Sequence, residues 1–173
     1  MAIKKLAKEG YGQLELNFAA FRRNGAIEAT CKIDGVDYIE NGMILAVDRK
    51  ARTVGLPTES ETRPLALNYT TEHMYDERAK ALKDFKLDAG TFLPRLGYIG
   101  KADKFTTNTV CYDDGEFADW TAVETAFKAG RVYGKASTIG YIQLTKTATD
   151  AIVEAIEITT MPDGQTAVKF AGL

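Results

Sequence analysis

Few residues in this chain have the type and spacing that chemistry needs. The single histidine, His73, falls in the first turn of a predicted helix beside Glu72. A helix N-terminus disfavours the imidazolium, so His73 is expected to be a solvated helix residue, not a base. The only serines, Ser60 and Ser137, stand outside any G-x-S-x-G elbow. Gly97-Tyr-Ile-Gly100-Lys101 resembles a phosphate loop superficially. It has two residues between its glycines instead of four, and Ala102 stands where Ser or Thr is required. Asp113, Asp114, Glu116 and Asp119 crowd one turn, as oxygen ligands for Ca²⁺ would. The EF-hand spacing is missing, and the acidic turn is expected to cap the helix that follows. One histidine and two distant cysteines, Cys31 and Cys111, leave no zinc set. Both cysteines sit in strand-like runs and are expected to be buried free thiols. These residues predict no catalytic group, no metal and no cofactor, and a chain that is not an enzyme. Trp120, with Phe117 and Phe127 close by, packs a small core or anchors an interface.

The elements that must position these groups belong to an ordinary globular protein. Of 173 residues, 45% are apolar and 27% charged, with a formal net charge of −2. That balance offers no basic field for nucleic acid. The cluster Arg49-Lys50 with Arg52 reads as a solvated hairpin turn. No stretch approaches the roughly 18 apolar residues of a membrane span, and the polar start MAIKKLAKEGYGQ does not resemble a secretory signal. Asn68-Tyr69-Thr70 matches a glycosylation sequon, which in that context reads as chance.

Along the chain the dominant period is two. Leu14, Leu16 and Phe18 alternate with polar residues, and so do Ile27, Ala29, Cys31 and Ile33. Asn24-Gly25, Asp34-Gly35, Asn41-Gly42 and Asp48 to Arg52 are turn signals between short strands. Val36 to Pro57 is a compact β unit, and residues 105–112, 142–145, 152–158 and 167–170 are further strands. Pro94 and Gly97 predict an irregular or edge segment over 92–99. Met161-Pro-Asp-Gly164 is a tight turn. Two helices are predicted, one from Thr70 or Thr71 to Lys86, the other over 121–128 with Thr121 and Glu124 as a capping box. The fold class is therefore mainly β (α+β), with small barrel- or sandwich-like strands and two short helices inserted in the middle. The expected organisation is an arm over 1–12, a β lobe over 13–57, a polar linker over 58–64 and an α+β lobe over 65–173. The first lobe is marginal for an independent core and would be completed by neighbours.

Several local patterns resemble proteins encoded beside the major capsid proteins of tailed bacteriophages. They are Tyr38-Ile-Glu-Asn-Gly-Met43 with Leu45-Ala-Val-Asp48, Leu67-Asn-Tyr-Thr70, Pro94-Arg-Leu-Gly97 with Asp103-Lys-Phe-Thr-Thr-Asn108, and Thr160-Met-Pro-Asp-Gly-Gln165 with Val168-Lys-Phe170. The Glu-Asn-Gly turn is similar to that in small phage head decoration proteins. That resemblance implies a homotrimer bound to the major capsid protein on the capsid exterior, assembled in the host cytoplasm, touching neither nucleic acid nor membrane. It implies that an N-terminal arm augments a capsid strand, which is an economical recognition mode. The expected partner-binding residues are Ile3, Lys4, Lys5 and Leu6 in the arm, Asn41 and Met43 at the turn, and Trp120. Two departures stand out: decoration proteins of this kind are shorter, and they are mostly β. The alternatives are another virion component, such as a head fibre base or tail protein, and a carbohydrate-binding module built on Trp120, Tyr112, Asp113 and Asp114.

Overall fold

A computed structural model describes residues 2–70, 82–91 and 93–173. Its strands, in chain order, are β1 (Ile3–Lys5), β2 (Leu14–Phe18), β3 (Ile27–Glu28), β4 (Lys32–Ile33), β5 (Tyr38–Ile39), β6 (Ile44–Asp48), β7 (Thr53–Gly55) and β8 (Leu65–Asn68). The second half adds β9 (Leu87–Asp88), β10 (Leu96–Gly97), β11 (Lys104–Thr107), β12 (Val110–Asp113), β13 (Val132–Ala136), β14 (Ile142–Thr145), β15 (Val153–Thr160) and β16 (Thr166–Gly172). The two α-helices are α1 (Ala20–Asn24) and α2 (Trp120–Ala129). The fold is mainly β, and neither large sheet closes into a barrel.

One sheet has the order β1-β12-β14-β13-β15-β16-β11-β2, and a second has β3-β10-β8-β6-β7-β4; β5 pairs with β9 alone. Both large sheets must curl strongly. β11 and β12 are joined only by Asn108 and Thr109, yet five strand spacings separate them in the sheet. Five spacings laid flat would span about 24 Å, whereas three peptide steps reach only about 11 Å. The same holds for β3 and β4, at opposite edges of the second sheet and joined by Ala29, Thr30 and Cys31. Each sheet therefore rolls until its chain-adjacent strands meet without pairing.

Each roll encloses a core. One is built on Phe105, Ile142, Leu144, Val153, Val168 and Phe170, and α2 covers it with Val123. The other gathers Ile39, Met43, Leu45, Val47, Val54 and Leu96, with both cysteines. β6 serves both: Ile44 faces the first core, while Leu45 and Val47 face the second. Its continuous apolar run, Ile-Leu-Ala-Val, follows from burial on two faces.

Several sequence expectations change here. The alternating stretch 27–33 is two strands on opposite sheet edges, not one. Asp34-Gly35 and Asn41-Gly42 do turn, with φ of 75° and 83° at the glycines, but the strands that flank them do not pair with each other. The Asp48–Arg52 and Met161–Gly164 turns do close antiparallel hairpins, β6–β7 and β15–β16. β10 pairs on both sides, with β3 and β8, so it is not an edge. The polar run 58–64 links β7 to β8 within one sheet, and β6 pairs across it. β2 joins the sheet of residues 104–172 while 27–55 build the other, so the division into lobes at 58–64 is not the division between the sheets.

The helix expected over 70–86 falls mostly on residues 71–81, outside the described ones, as does His73; Leu82–Asp84 forms a single 3-10 turn. The unforeseen helix α1 is too short to show a period. It buries Phe21 against the Tyr69 ring, at 5.1 Å between centroids, and stops at Gly25, which is left-handed. α2 begins one residue earlier than expected, and its cap is Asp119 instead of Thr121. The Asp119 carboxylate accepts from the Ala122 N–H at 2.8 Å.

Candidate functional site

The first twelve residues are not a free arm. β1 pairs antiparallel with β12 in register Ile3 to Asp113, Lys4 to Tyr112 and Lys5 to Cys111. The Leu6 N–H donates to the Val110 carbonyl at 2.9 Å, and the Leu6 side chain enters the first core. Leu6 is thus a core residue. Asn41 and Met43 are also buried, at 3% and 5% exposure. Met43 sits in the second core, where its Sδ accepts from the Glu40 N–H at 3.1 Å. The Val36 to Pro57 stretch is largely interior, with Asp37, Tyr38 and the turn over 49–52 exposed.

Two of the expected partner residues, Lys4 and Trp120, do converge. Among the described residues β1 is the outermost strand of its sheet, and one row of its backbone donors and acceptors has no strand partner there. Lys4 and Lys5 are exposed, and Ile3 is half-buried. Tyr112, the register partner of Lys4, holds the half-buried Trp120 ring at 6.2 Å between centroids. The Lys4 ammonium donates to the Ala118 carbonyl at 3.0 Å, just before the helix that carries Trp120. Ala2 and Asp114 tie the end of β1 to the acidic turn, through Ala2 N–H to Asp114 Oδ1 at 2.8 Å and Asp114 N–H to the Ala2 carbonyl at 3.1 Å. Strand edge, Lys4 and indole thus form one surface, while Lys5 turns to the opposite face of the sheet, over the Tyr141 ring.

The acidic turn is consumed internally. Asp113 accepts from the Gly115 N–H at 2.8 Å, Glu116 accepts from Thr145 Oγ1 at 3.1 Å and from the Lys146 N–H, and Asp119 caps α2. No group of three or more metal-capable side chains forms among the described residues. Tyr112 is buried beneath Trp120, so it offers no sugar-stacking face.

Beneath the β1 edge lies a buried polar network with no local signal in the sequence. Glu40, at 5% exposure, is its centre. Its carboxylate pairs with the Lys8 ammonium and accepts from the Gly12 N–H at 2.7 Å. The Tyr141 hydroxyl donates to it at 3.1 and 3.2 Å. Lys5 and Lys8 both place their ammonium groups over the Tyr141 ring, at 4.5 and 4.9 Å. Burial holds Lys8 below the usual lysine range, against the pull of Glu40. Burial, reinforced by the Glu40 charge, pushes the Tyr141 phenol well above its ordinary value.

The network continues in both directions. Asn68 Nδ2 donates to the Glu40 carbonyl at 2.8 Å, and Thr109 Oγ1 donates to the Asn41 carbonyl at 2.6 Å. Thr107 Oγ1 donates to the Gln13 carbonyl at 2.6 Å, and the Gln13 N–H donates to Asn108 Oδ1 at 2.7 Å. These bonds fasten residues 8–13 to both sheets. Tyr11 adds an N–H to the Lys83 carbonyl at 2.6 Å, and Glu9 pairs with Lys83 at 2.7 Å. Cys31 and Cys111 are buried free thiols, and burial pushes the Cys111 thiol up to about 12.

Comparison with known proteins finds no matching family model, no matching curated sequence and no matching solved structure. No helix among the described residues is long and apolar enough to cross a membrane.

Proposed function

We propose that this chain is a structural virion protein, a decoration or cement protein that binds the outer surface of a phage capsid and stabilises it. The observation that supports this reading most is the composite edge of β1: a strand edge unpaired among the described residues, with Lys4 on it and Trp120 beside it. Strand addition supplies backbone hydrogen bonds, and a neighbouring indole supplies an anchor. The docking element is then a strand held in place by its own fold, not a flexible arm. A preformed edge avoids the entropy of ordering a loose segment on binding. The partner is the major capsid protein, and a homotrimer gains avidity on a repeating lattice without strong individual contacts. The resemblances in residues 38–48 and 160–170 point the same way.

Co-sedimentation with purified phage capsids tests this. The protein should bind expanded shells and not unexpanded ones, and the Lys4→Glu variant should weaken binding with little change in the melting temperature. A soluble protein with no affinity for either shell would overturn the proposal.

A further inference from the structure

The Lys8–Glu40 pair is more than the capsid reading requires, and its setting has a chemical consequence of its own. Both side chains are almost fully covered, at 8% and 6% exposure. Two charges withdrawn from water carry a desolvation cost that their attraction offsets only in part. Condensing them to an amide removes both charges at once. Apposition of amine and acid inside a fold replaces the bimolecular encounter, with effective concentrations that reach about 10⁵ M or more in well-oriented cases.

We propose that Lys8 and Glu40 become joined by an intramolecular isopeptide bond, from Nζ of Lys8 to Cδ of Glu40. The pair begins as ammonium and carboxylate. One proton passes from Nζ to a carboxylate oxygen, leaving a neutral amine beside a neutral acid. The nitrogen lone pair then attacks Cδ to give a tetrahedral intermediate. Its C–O bond breaks, and the oxygen departs as water carrying two of the three original Nζ protons; the third stays on the amide nitrogen. Charge and atoms balance with no oxidant, reductant or other reactant.

The surrounding groups suit each stage. Burial of Lys8 favours the neutral amine that attack requires. The Gly12 N–H, at 2.7 Å from Oε2, and the Tyr141 hydroxyl, at 3.1 and 3.2 Å from the two oxygens, already point at the carboxyl group where negative charge develops. The phenol keeps its proton throughout, because its environment strongly opposes ionisation. Water has a way out: Lys8 also lines a surface pocket of about 490 Å³ with Glu9, Lys83, Asp163 and Gln165. The product would tie the strand-bearing N-terminal segment covalently to the turn before β6.

Mass spectrometry of the purified full chain decides it. The intact protein should be lighter than its sequence by about 18 Da, one water. Trypsin should fail to cut after Lys8 and yield a branched peptide joining residues 6–22 to 33–49. The Lys8→Arg variant should show its full sequence mass and no branched peptide. A wild-type mass equal to the sequence, with normal cleavage after Lys8, would mean an ion pair only and overturn the proposal. So would the same mass loss in a linear peptide containing Asp34-Gly35, Asp114-Gly115 or Asp163-Gly164, since an Asp-Gly succinimide also loses one water. The measurement uses denatured protein, so a poorly folding variant does not obscure the wild-type result.

Discussion

Replacing Gly134 with alanine should destabilise the protein through packing alone. Gly134 lies in β13 between β14 and β15, in the middle of the larger sheet. Its φ is not in the left-handed region, so alanine meets no backbone penalty. The added Cβ would lie 2.6 Å from Ile142 Cγ2, 2.7 Å from Val153 Cγ2 and 3.3 Å from Phe170 Cε1. Carbon atoms pack best at about 3.5–4.0 Å, so the first two contacts are short by about 1 Å. Ile142 and Val153 are β-branched, and β-branched side chains are stiff at χ1; they are fully buried and have nowhere to turn. Overpacking of this kind costs about 1–3 kcal/mol. The lower entropy of the unfolded alanine chain returns about 0.4–1 kcal/mol. The expected net loss is about 1–2 kcal/mol, a drop of about 2–8 °C in Tm for a chain of this size. Urea unfolding followed by circular dichroism should show a lower midpoint at unchanged slope. Val153→Ala removes one of the two clashing methyls, so Gly134→Ala should cost less in that background by about 0.5 kcal/mol or more. A stabilising Gly134→Ala, or an identical cost in both backgrounds, would refute the packing argument.

Asp119→Ala removes the cap of α2 and should cost about 1 kcal/mol by urea titration, whereas Thr121→Ala should cost far less. Trp120→Ala should weaken capsid binding by about 30-fold or more in co-sedimentation if the indole is a central anchor. Hydrogen bonding by Arg63, aided by the Thr58 and Arg63 backbone N–H groups, lowers the Glu61 carboxyl to about 2. A folded value below the unfolded one means that the contribution is present above about pH 4.5 and is lost as pH falls toward 2. The effect on stability should be small, because Arg63 is half-exposed and water screens the pair. Carboxyl NMR of Arg63→Ala should show Glu61 returning to the ordinary range. Iodoacetamide at pH 8 should leave Cys31 and Cys111 unmodified until the protein is unfolded, and fast labelling in the folded state would contradict their burial.

Local patterns made the individual strands legible but not their partners. Alternation located β2, and the turn residues Asp48 to Arg52 and Met161 to Gly164 located two hairpins correctly. The lysines of β1 read as a solvated arm because an edge strand needs only a small buried contact, and that contact, Leu6, lies outside the strand itself. The stretch 27–33 read as one strand because its period of two continues through the three residues that cross between sheet edges. Glu40, Lys8 and Tyr141 were invisible as a group, since 32 residues separate the first pair and 101 separate Glu40 from Tyr141. Residues 105–112 read as one strand, yet they are divided between β11 and β12, and Thr106 to Thr109 are buried, with hydroxyls turned to distant backbone carbonyls and the Asn17 side chain. Lys4 and Trp120 were singled out separately, and only the β1–β12 register shows that they are neighbours.

The pairing of β1 with β12 and of β11 with both β2 and β16 sets a timetable for synthesis. At about 5–20 residues per second, a ribosome needs about ten to thirty seconds to pass from β1 to the end of β16. Until residue 104 emerges β2 has no partner, and until residue 166 emerges β11 lacks the neighbour on its other side. The larger sheet cannot be assembled from its first half, so the nascent chain carries Leu6, Leu14 and Leu16 unburied for most of translation. A sheet whose outer strands are made first leaves both of them unpaired until residues 104–113 have emerged.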